Sequence, residues 1–385
     1  MEIYLDNSAT TKVRPEVMRE IIDTYENNYG NPSSAHRKGL QIEKKIDYSR
    51  KAAARLINAR AEEIYFTGGG TESNNIAVLG HLSLFNDIGE KKNIVTTRIE
   101  HPSIYNVFKH FEDKLDIRYL NTDGNGYIDV SQLNQLVDKN TLLVSVIYVN
   151  NEVGTVQDLN DIIKTVKEKN KKTKIHVDAI QAYGKIKIDT AKIMADTISF
   201  SSHKIHGPKG VGGLYIRTGC KLNPILWGGN QEKGIRPGTE NTPGIVGFGK
   251  ACELVYNNYT DDTEKLYELK RIYGSRLEQE IKDIKINSDL TKKSAPHILN
   301  VSFKNIKGEV PVHYLEDKGI YVSTGSACSS KVKSDNRILK AIGLDEEYIE
   351  GTIRISFGYF NNLEEIDYVI ENIKQSVNNI RKIMM

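Results

Sequence analysis

Cysteine is scarce in this sequence: Cys220, Cys252 and Cys328 are the three cysteines among 385 residues. An odd number at such wide spacing does not form the disulfide framework that holds small secreted proteins together. The count therefore favours a reducing cytoplasm, in which a free thiol can serve as a chemical reagent.

Long apolar runs and a strong charge of one sign are also missing, and we expect no leader segment. No run is long enough to cross a bilayer, and the first residues, "MEIYLDNSATT", lack the basic and apolar regions of a secretory signal. The net charge is only +3, with Lys and Glu interspersed along the predicted helices, which argues against direct nucleic-acid binding. The composition is that of an ordinary globular protein, and 385 residues favour a large domain with a smaller companion.

Apolar, β-branched runs alternate with helix-patterned segments over the first two thirds of the chain. Strands that alternate with helices predict a mostly parallel sheet buried on both faces. The segment 158–172, between two of these runs, has apolar residues at helical spacing and a basic end. The predicted strands lie within 62–69, 92–101, 141–151, 174–181, 196–204 and 210–216.

The pattern changes after about residue 255. A helix-like segment at 261–281 precedes short strands at 297–303 and 352–358. We therefore predict a large α/β domain at 13–255 and a smaller α+β domain that comprises 1–12 and 256–385 and carries Cys328.

Polar residues follow five of the predicted strands of the large domain. In an open α/β sheet, ligands bind beyond the carboxyl ends of the strands, so these side chains collect at one edge. Singly, each has a structural explanation, because a histidine at a strand end is more often structural than catalytic and Asp and Asn often cap the next helix. Together they indicate a binding site. They are Thr71, Glu100, His101, Asn150, Asn151, Asp178, Gln181, Ser201, His203 and Lys204.

The chemistry of this set favours one cofactor. The glycine loop of "GGGTESNN" (68–75) leads into a helix start, which favours an anion, although neither the Walker pattern nor the dinucleotide fingerprint is present. Ser201 and His203 supply further phosphate donors without a metal. Pyridoxal 5′-phosphate (PLP) needs a phosphate site, a lysine for its imine and a carboxylate for its ring nitrogen. We therefore predict that Lys204 carries PLP and that Asp178 lies nearby.

The segment 121–132, "NTDGNGYIDVSQ", is similar to a calcium-binding loop. Its twelfth position is Gln132, where a bidentate glutamate is needed, and only one copy is present. The flanking residues favour a turn between a strand and a helix, and we predict no calcium site.

The order of motifs resembles the cysteine desulfurases of the NifS/IscS type, which belong to the class V branch of the fold-type I PLP enzymes. The resemblance runs nearly from end to end. It rests on "YLDNSATT" (4–11), "NPSSAH" (31–36), "GGTESNN" (69–75), "EHPSI" (100–104), "VNNEVGTVQ" (149–157), "VDAIQAYGK" (177–185), "SSHKIHGPKGVGGLY" (201–215), "GIRPGTENTPGI" (234–245), "GSACSS" (325–330) and "RISFG" (354–358).

The resemblance implies a role for each matching residue. For the cofactor, Lys204 forms the imine, His101 stacks on the ring and moves protons, Asp178 pairs with the ring nitrogen, Gln181 binds the phenolic oxygen, and Thr71, Ser201 and His203 hold the phosphate. Thr239 joins this phosphate site from a second subunit, which implies a homodimer. Asn151, which also borders the cofactor, and Arg354 bind the substrate carboxylate, for which a planar guanidinium is well suited.

Cys328 lies in "STGSACSSKVKSDNR", among small, polar and basic residues that favour a mobile, exposed loop and a thiolate. By the resemblance it takes sulfur from L-cysteine, which leaves L-alanine and a persulfide. An acceptor then receives the sulfur, either an iron–sulfur scaffold protein or a tRNA-thiolation enzyme. Cys252, in "KACELVY", has the context of a buried structural residue, and Cys220 has no assigned role.

Fold alone does not decide the reaction. A selenocysteine lyase, a desulfurase of the SufS group and a class V aminotransferase remain chemical alternatives. A non-catalytic protein that binds a phosphate ligand is an alternative of a different class, and it predicts no imine at Lys204.

Overall fold

The computed structural model describes residues 2–84, 92–324 and 336–384. Its main sheet has seven strands in the order β2-β8-β7-β6-β5-β3-β4. The neighbours from β7 to β4 pair in parallel, whereas β8 is antiparallel to both β7 and β2. The predicted α/β class with a mostly parallel sheet is confirmed.

The strands and helices of the described residues have the following bounds. The strands are β1 (Ile3–Tyr4), β2 (Ile64–Thr67), β3 (Asn93–Thr97), β4 (Asp116–Leu120), β5 (Thr141–Ile147), β6 (Lys174–Asp178), β7 (Thr197–Ser201), β8 (Gly212–Ile216), β9 (Ile284–Ile286), β10 (Ile298–Phe303), β11 (Ile320–Tyr321) and β12 (Thr352–Ser356). The helices are α1 (Pro15–Asn27), α2 (Arg37–Arg55), α3 (Gly70–Leu82), α4 (Pro102–His110), α5 (Leu133–Leu136), α6 (Leu159–Lys169), α7 (Thr242–Glu280), α8 (Glu309–Asp317), α9 (Arg337–Ala341), α10 (Glu346–Ile349) and α11 (Ile366–Met384).

The central strands are almost entirely buried, as helices on both faces of a parallel sheet require. Every residue of β5, β7 and β8 is buried. On one face, the rings of Tyr183 and Phe200 stack with centroids 4.4 Å apart, and Phe248 of α7 packs against both. This packing explains why continuous apolar runs predicted these strands correctly.

A second sheet lies in the C-terminal part of the chain, with the order β12-β10-β9 and antiparallel pairing. The short strands β1 and β11 pair in parallel beside it, so the N-terminal residues join the C-terminal part. Tyr273 and Leu277 of α7 pack in this region with Phe303 and Phe357.

Helix α7 runs unbroken for 39 residues through position 255 and begins well before the predicted segment 261–281. Its glycines explain why sequence pattern missed the first half, since glycine is a poor helix former. A Cβ on Gly249 would lie 2.4 Å from the Ser49 hydroxyl oxygen of α2, so close helix packing requires glycine there. The domain bounds at 13–255, 1–12 and 256–385 stay a prediction.

The turn predicted within 121–132 is present between β4 and α5. The Asp123 carboxylate accepts the backbone N–H groups of Asn125 and Tyr127, each at 2.9 Å. Asp129 likewise accepts from Ser131 and begins a short 3₁₀ turn at Val130. Both carboxylates therefore stabilise backbone turns. Among the described helices, none combines the length and the apolarity that a membrane crossing needs.

Candidate active site

The carboxyl ends of the parallel strands form one edge of the main sheet, and the predicted site lies there. Asp178 is the last residue of β6 and Ser201 is the last residue of β7. A short 3₁₀ turn, Ser202–Lys204, follows β7 directly. The end of one strand therefore places three predicted residues, Ser201, His203 and Lys204, side by side.

A pocket of about 630 Å³ opens beside this turn, and its lining includes Thr71, Ser201 and His203. Its floor is the glycine loop before α3, in which Gly69 has φ +153°, a backbone conformation that favours glycine. A Cβ on Gly212 would lie 2.7 Å from the carbonyl carbon of Gly69, so a side chain there would push the loop out of place. The first turn of α3 borders the pocket, and the N–H groups at a helix start lack partners within the helix, which suits an anion.

Two side chains in this pocket have unusual surroundings. The Ser201 hydroxyl oxygen is buried and has no hydrogen-bond partner among the residues that the structure describes. His203 Nδ1 lies 3.1 Å from the Thr10 hydroxyl. Burial, with help from the nearby Lys204 ammonium, lowers the pKa of His203 to about 3, so its ring is neutral at physiological pH. Buried hydroxyls normally have a partner, and the orphaned Ser201 marks a place for a bound polar group.

The N-terminal segment closes over Lys204. Lys204 Nζ donates to the carbonyl oxygen of Ser8 at 2.5 Å and to that of Ala9 at 2.8 Å. The Lys204 carbonyl oxygen in turn accepts a 2.7 Å hydrogen bond from Lys185 Nζ. Burial and the adjacent Lys204 charge lower the pKa of Lys185 to about 7.

Asp178 and His101 are joined through two residues that sequence reasoning did not select. The Asn74 amide donates 2.8 Å hydrogen bonds to Asp178 Oδ2 and to the Ser103 hydroxyl, and that hydroxyl lies 2.8 Å from His101 Nδ1. Burial raises the pKa of Asp178, while hydrogen bonds from Ile180 and Asn74 and the charge of Lys204 oppose the rise. Loss of solvation, with the Lys204 charge, lowers the pKa of His101 to about 4.

Gln181 is buried at the same edge. Its amide nitrogen donates to the Ser8 carbonyl oxygen at 2.9 Å, the oxygen that also accepts from Lys204. Its amide oxygen lies 3.1 Å from His297 Nε2, and burial holds the pKa of His297 well below the usual range, so this neutral ring donates. Gln181 and Lys204 are thus fixed next to each other.

Arg354, on β12, approaches from the second sheet and is only 3% exposed. Its Nη1 donates to the Asn151 carbonyl oxygen at 2.9 Å, and its Nη2 to Asp6 Oδ1 at 2.8 Å. Arg354 Nε and the Asn151 side-chain oxygen are buried without a partner in the described part of the chain. Sequence reasoning missed Asp6, although "YLDNSATT" contains it, just as "GGTESNN" and "EHPSI" contain Asn74 and Ser103.

One predicted residue, Thr239, is not brought into this cluster. Thr239 is exposed and does not line the pocket beside Thr71. Its loop is nevertheless tied to the start of α3, since Arg236 Nε lies 2.8 Å from Glu72 Oε1. Cys328 lies outside the described residues.

The other cysteines have raised thiol pKa values. Cys252 is fully buried beside the Tyr183 hydroxyl, and burial raises its pKa to about 12. Burial also raises the pKa of Cys220 to about 11. Neither thiol is a ready nucleophile at neutral pH, in keeping with a structural Cys252.

The donor set fits PLP. A glycine loop, a helix start and the unpartnered Ser201 hydroxyl can take a phosphate. The Lys204 amine and the buried Asp178 carboxylate lie close enough for the lysine charge to oppose the rise in the carboxyl pKa that burial causes. These are the amine and the carboxylate that the cofactor needs.

Comparisons with known proteins agree with this chemistry. A family model described as Aminotransferase class-V matches residues 3–369. A cysteine desulfurase of Trichormus azollae is 41% identical over 380 residues, 98% of this chain and 94% of that protein. A solved NifS-like protein has a TM-score of 0.92 at 38% identity, covering 98% of this chain and 100% of that one. A structure described as SspA in complex with cysteine has a TM-score of 0.81 at 31% identity, covering 94% and 100%.

Proposed function

Because this chain belongs to the class-V aminotransferase family and, within it, to the cysteine desulfurases, we propose that it removes sulfur from L-cysteine and releases L-alanine. Its fold is that of the NifS-like, fold-type I enzymes, and its cofactor is PLP. The observation that carries the proposal is the convergence of Lys204, Asp178 and the pocket of Thr71, Ser201 and His203 at one sheet edge.

The chain's own groups would hold the cofactor in a defined way. Thr71, Ser201 and His203, with the N–H groups of the α3 start, would take the phosphate. Lys204 would supply the amine, Asp178 would hold a proton on the ring nitrogen, and Gln181 would donate to the phenolic oxygen. When bound, PLP supplies an electron sink that lowers the cost of breaking bonds next to the substrate nitrogen.

His101 is suited to handle protons at one atom. Its ring is neutral at physiological pH, because its pKa is about 4. Nδ1 accepts a 3.2 Å hydrogen bond from the Ser103 backbone N–H, so the proton of the neutral ring lies on Nε2. Nε2 is therefore the ring nitrogen of His101 that is left to handle a proton.

Arg354 and Asn151 would bind the substrate carboxylate. The unpartnered Arg354 Nε is an unused donor within the described residues, and Asn151 would donate through its amide nitrogen, because a carboxylate only accepts. The ion pair with Asp6 holds the guanidinium in place but shares its charge, so the substrate carboxylate has to compete with Asp6.

We assign sulfur removal to Cys328. Its thiolate attacks the sulfur of the substrate cysteine, an S–S bond forms and the substrate Cβ–S bond breaks. The electron pair stays with the carbon, which takes a proton to give alanine, and a persulfide remains on Cys328. The acceptor would be an iron–sulfur scaffold protein or a tRNA-thiolation enzyme in the cytoplasm.

A homodimer is part of the proposal. Large apolar side chains are exposed on α1 and α2 and in the loop before Thr239, among them Tyr25 at 66%, Tyr48 at 57% and Trp227 at 87% exposure. Exposed apolar surface of this kind favours a protein interface. In the dimer, Thr239 would reach the phosphate site of the partner subunit. Sedimentation velocity tests the dimer, and a monomer at micromolar concentration would contradict it.

The decisive experiment joins three measurements on purified protein. Borohydride treatment after PLP addition should label Lys204, as read by mass spectrometry. L-cysteine with a thiol reductant should yield alanine and sulfide in equal amounts. Cys328→Ala should lose both products, whereas the matched Cys220→Ala should keep them; full activity of Cys328→Ala would refute the assigned role. The relatives do not favour a selenocysteine lyase or an aminotransferase.

A further inference from the structure

The side chain of Asn74, on α3, is fully buried and makes four hydrogen bonds. Its Nδ2 donates to Asp178 Oδ2 and to the Ser103 hydroxyl, each at 2.8 Å. Its Oδ1 accepts from His176 Nε2 at 3.1 Å and from the Ser199 hydroxyl. The amide thus uses both donors and its oxygen, and it is the common partner of β6, β7 and the first turn of α4.

The chemistry of the neighbours decides which way this amide points. Asp178 Oδ1 accepts from the Ile180 N–H at 3.0 Å and Asp178 Oδ2 accepts from Asn74 Nδ2, so the NH₂ group faces the carboxyl group. Burial lowers the pKa of His176 to about 3, so its ring is neutral and has one N–H. The Thr197 hydroxyl donates to His176 Nδ1 at 3.0 Å. The single N–H of the ring is therefore on Nε2 and donates to the Asn74 oxygen.

The direction of the hydrogen bonds is also fixed from Asn74 through Ser103 to His101. The Ser103 oxygen accepts from Asn74, so its hydrogen is available for His101 Nδ1 at 2.8 Å. His101 Nδ1 also accepts from the Ser103 backbone N–H. With two donors on Nδ1, the imidazole has to carry its proton on Nε2.

We propose that Asn74 is a positioning residue that sets the Asp178 carboxylate and the His101 tautomer together. One donor of its amide favours the ionised, fixed form of Asp178, and the other orients Ser103 so that His101 presents Nε2–H toward the reacting groups. The inference rests on the proposed function only in what Asp178 and His101 are used for. The linkage itself is a property of the hydrogen bonds.

A merely structural role for Asn74 is the competing explanation, and the chain offers a matched control. Asn287 is also buried, and its Nδ2 donates to two side chains, Asn300 Oδ1 and Ser302 Oγ, each at 2.7 Å. It lies in the second sheet region, away from the pocket. Asn287→Ala therefore removes the same kind and number of donors without touching Asp178 or Ser103.

The experiment compares Asn74→Ala, Ser103→Ala, the double variant and Asn287→Ala as PLP-bound proteins. The PLP dissociation constant and the absorbance spectrum report on Asp178, and ¹⁵N resonances of the His101 ring report on its tautomer. Asn74→Ala removes a hydrogen bond to a charged group, so PLP should bind roughly 10- to 100-fold more weakly. Ser103→Ala should populate the Nδ1–H form of His101, and Ser103→Thr, which keeps the hydroxyl, should restore the Nε2–H form.

The coupling of Asn74 to His101 through Ser103 can be measured from the tautomer shifts of the variants. If Asn74 acts on His101 through Ser103, the tautomer shift of the double variant should be smaller than the sum of the two single shifts. Asn287→Ala should lower the unfolding midpoint while leaving the spectrum, the PLP affinity and the tautomer as in the parent. An unchanged His101 tautomer in Ser103→Ala, or a PLP affinity of Asn74→Ala no weaker than that of Asn287→Ala, would overturn the inference.

The Ser103→Ala and Ser103→Thr pair decides the matter even if Asn74→Ala does not fold. Failure of the proposed function is separately visible, because a parent protein that binds PLP but releases no alanine from L-cysteine leaves the tautomer measurement intact.

Discussion

Replacement of Arg354 by lysine tests the assignment of the substrate carboxylate. The guanidinium is 3% exposed and already donates to Asn151 and Asp6, with Nε unused among the described partners. A lysine keeps the charge but has a single nitrogen, which cannot serve Asp6, the Asn151 carbonyl and a substrate carboxylate with the same geometry.

The expected magnitude comes from the hydrogen bonds that are lost. A hydrogen bond to a charged group contributes about 1.5–3 kcal/mol, and about 1.4 kcal/mol corresponds to a factor of ten in binding. Loss of one such bond to the substrate should therefore raise KM for L-cysteine by roughly 10- to 100-fold. Because the carboxylate does not take part in the bond changes, kcat should fall much less.

Alanine formation at varied L-cysteine concentration measures both constants. Asp6→Asn is the matched control, because it weakens the ion pair but leaves the Arg354 guanidinium, and its KM should stay near or below that of the parent. A KM for Arg354→Lys within about twofold of the parent, in a protein that still binds PLP, would refute the reasoning.

Changes at the glycine loop, the buried carboxylate and a buried histidine have distinct expected results. Gly212→Ala should weaken PLP binding by roughly 10-fold in equilibrium titration, because overpacking against Gly69 displaces the loop; Gly124→Ala, with only ordinary contacts, should bind as the parent does. Asp178→Asn should reduce turnover by about 100-fold at an unchanged unfolding midpoint, and unchanged turnover would contradict its role. Burial lowers the pKa of His176 to about 3. Below about pH 6.5, the residue therefore takes up a proton when the protein unfolds. Its contribution to the free energy of unfolding then falls by about 1.4 kcal/mol per pH unit as the pH drops toward 3. Urea midpoints between about pH 7 and 5 measure this, and an equal pH dependence in His176→Gln would argue against it.

The buried strands of the main sheet could be predicted because burial on both faces demands continuous β-branched runs, as in β5 and β7. The first half of α7 could not, because its glycines lower helix propensity, and only the neighbouring helices α1 and α2 explain them. A Cβ on Gly247 would meet Ile21 of α1 at 2.6 Å, just as one on Gly249 would meet Ser49. Tertiary packing overrides local propensity there.

Within the site, the residue types that carry chemistry were readable from the chain. Lys204, Asp178, Ser201 and His203 follow strands whose carboxyl ends must share an edge, so topology alone brings them together. The partners that tune them were not readable. The Ser8 carbonyl oxygen accepts from Lys204, which is 196 residues away in the sequence, and the Asp6 carboxylate accepts from Arg354, which is 348 residues away.

The sequence by itself thus determined the family and the cofactor, and it predicts the principal reacting groups, because these depend on residue type and order. Only the tertiary structure decided which amide and hydroxyl join Asp178 to His101, which nitrogen of His101 accepts, and which carboxylate shares Arg354. Hydrogen bonds form over less than about 3.2 Å and at restricted angles. Their partners depend on strand register and helix position, which the order of residues does not display.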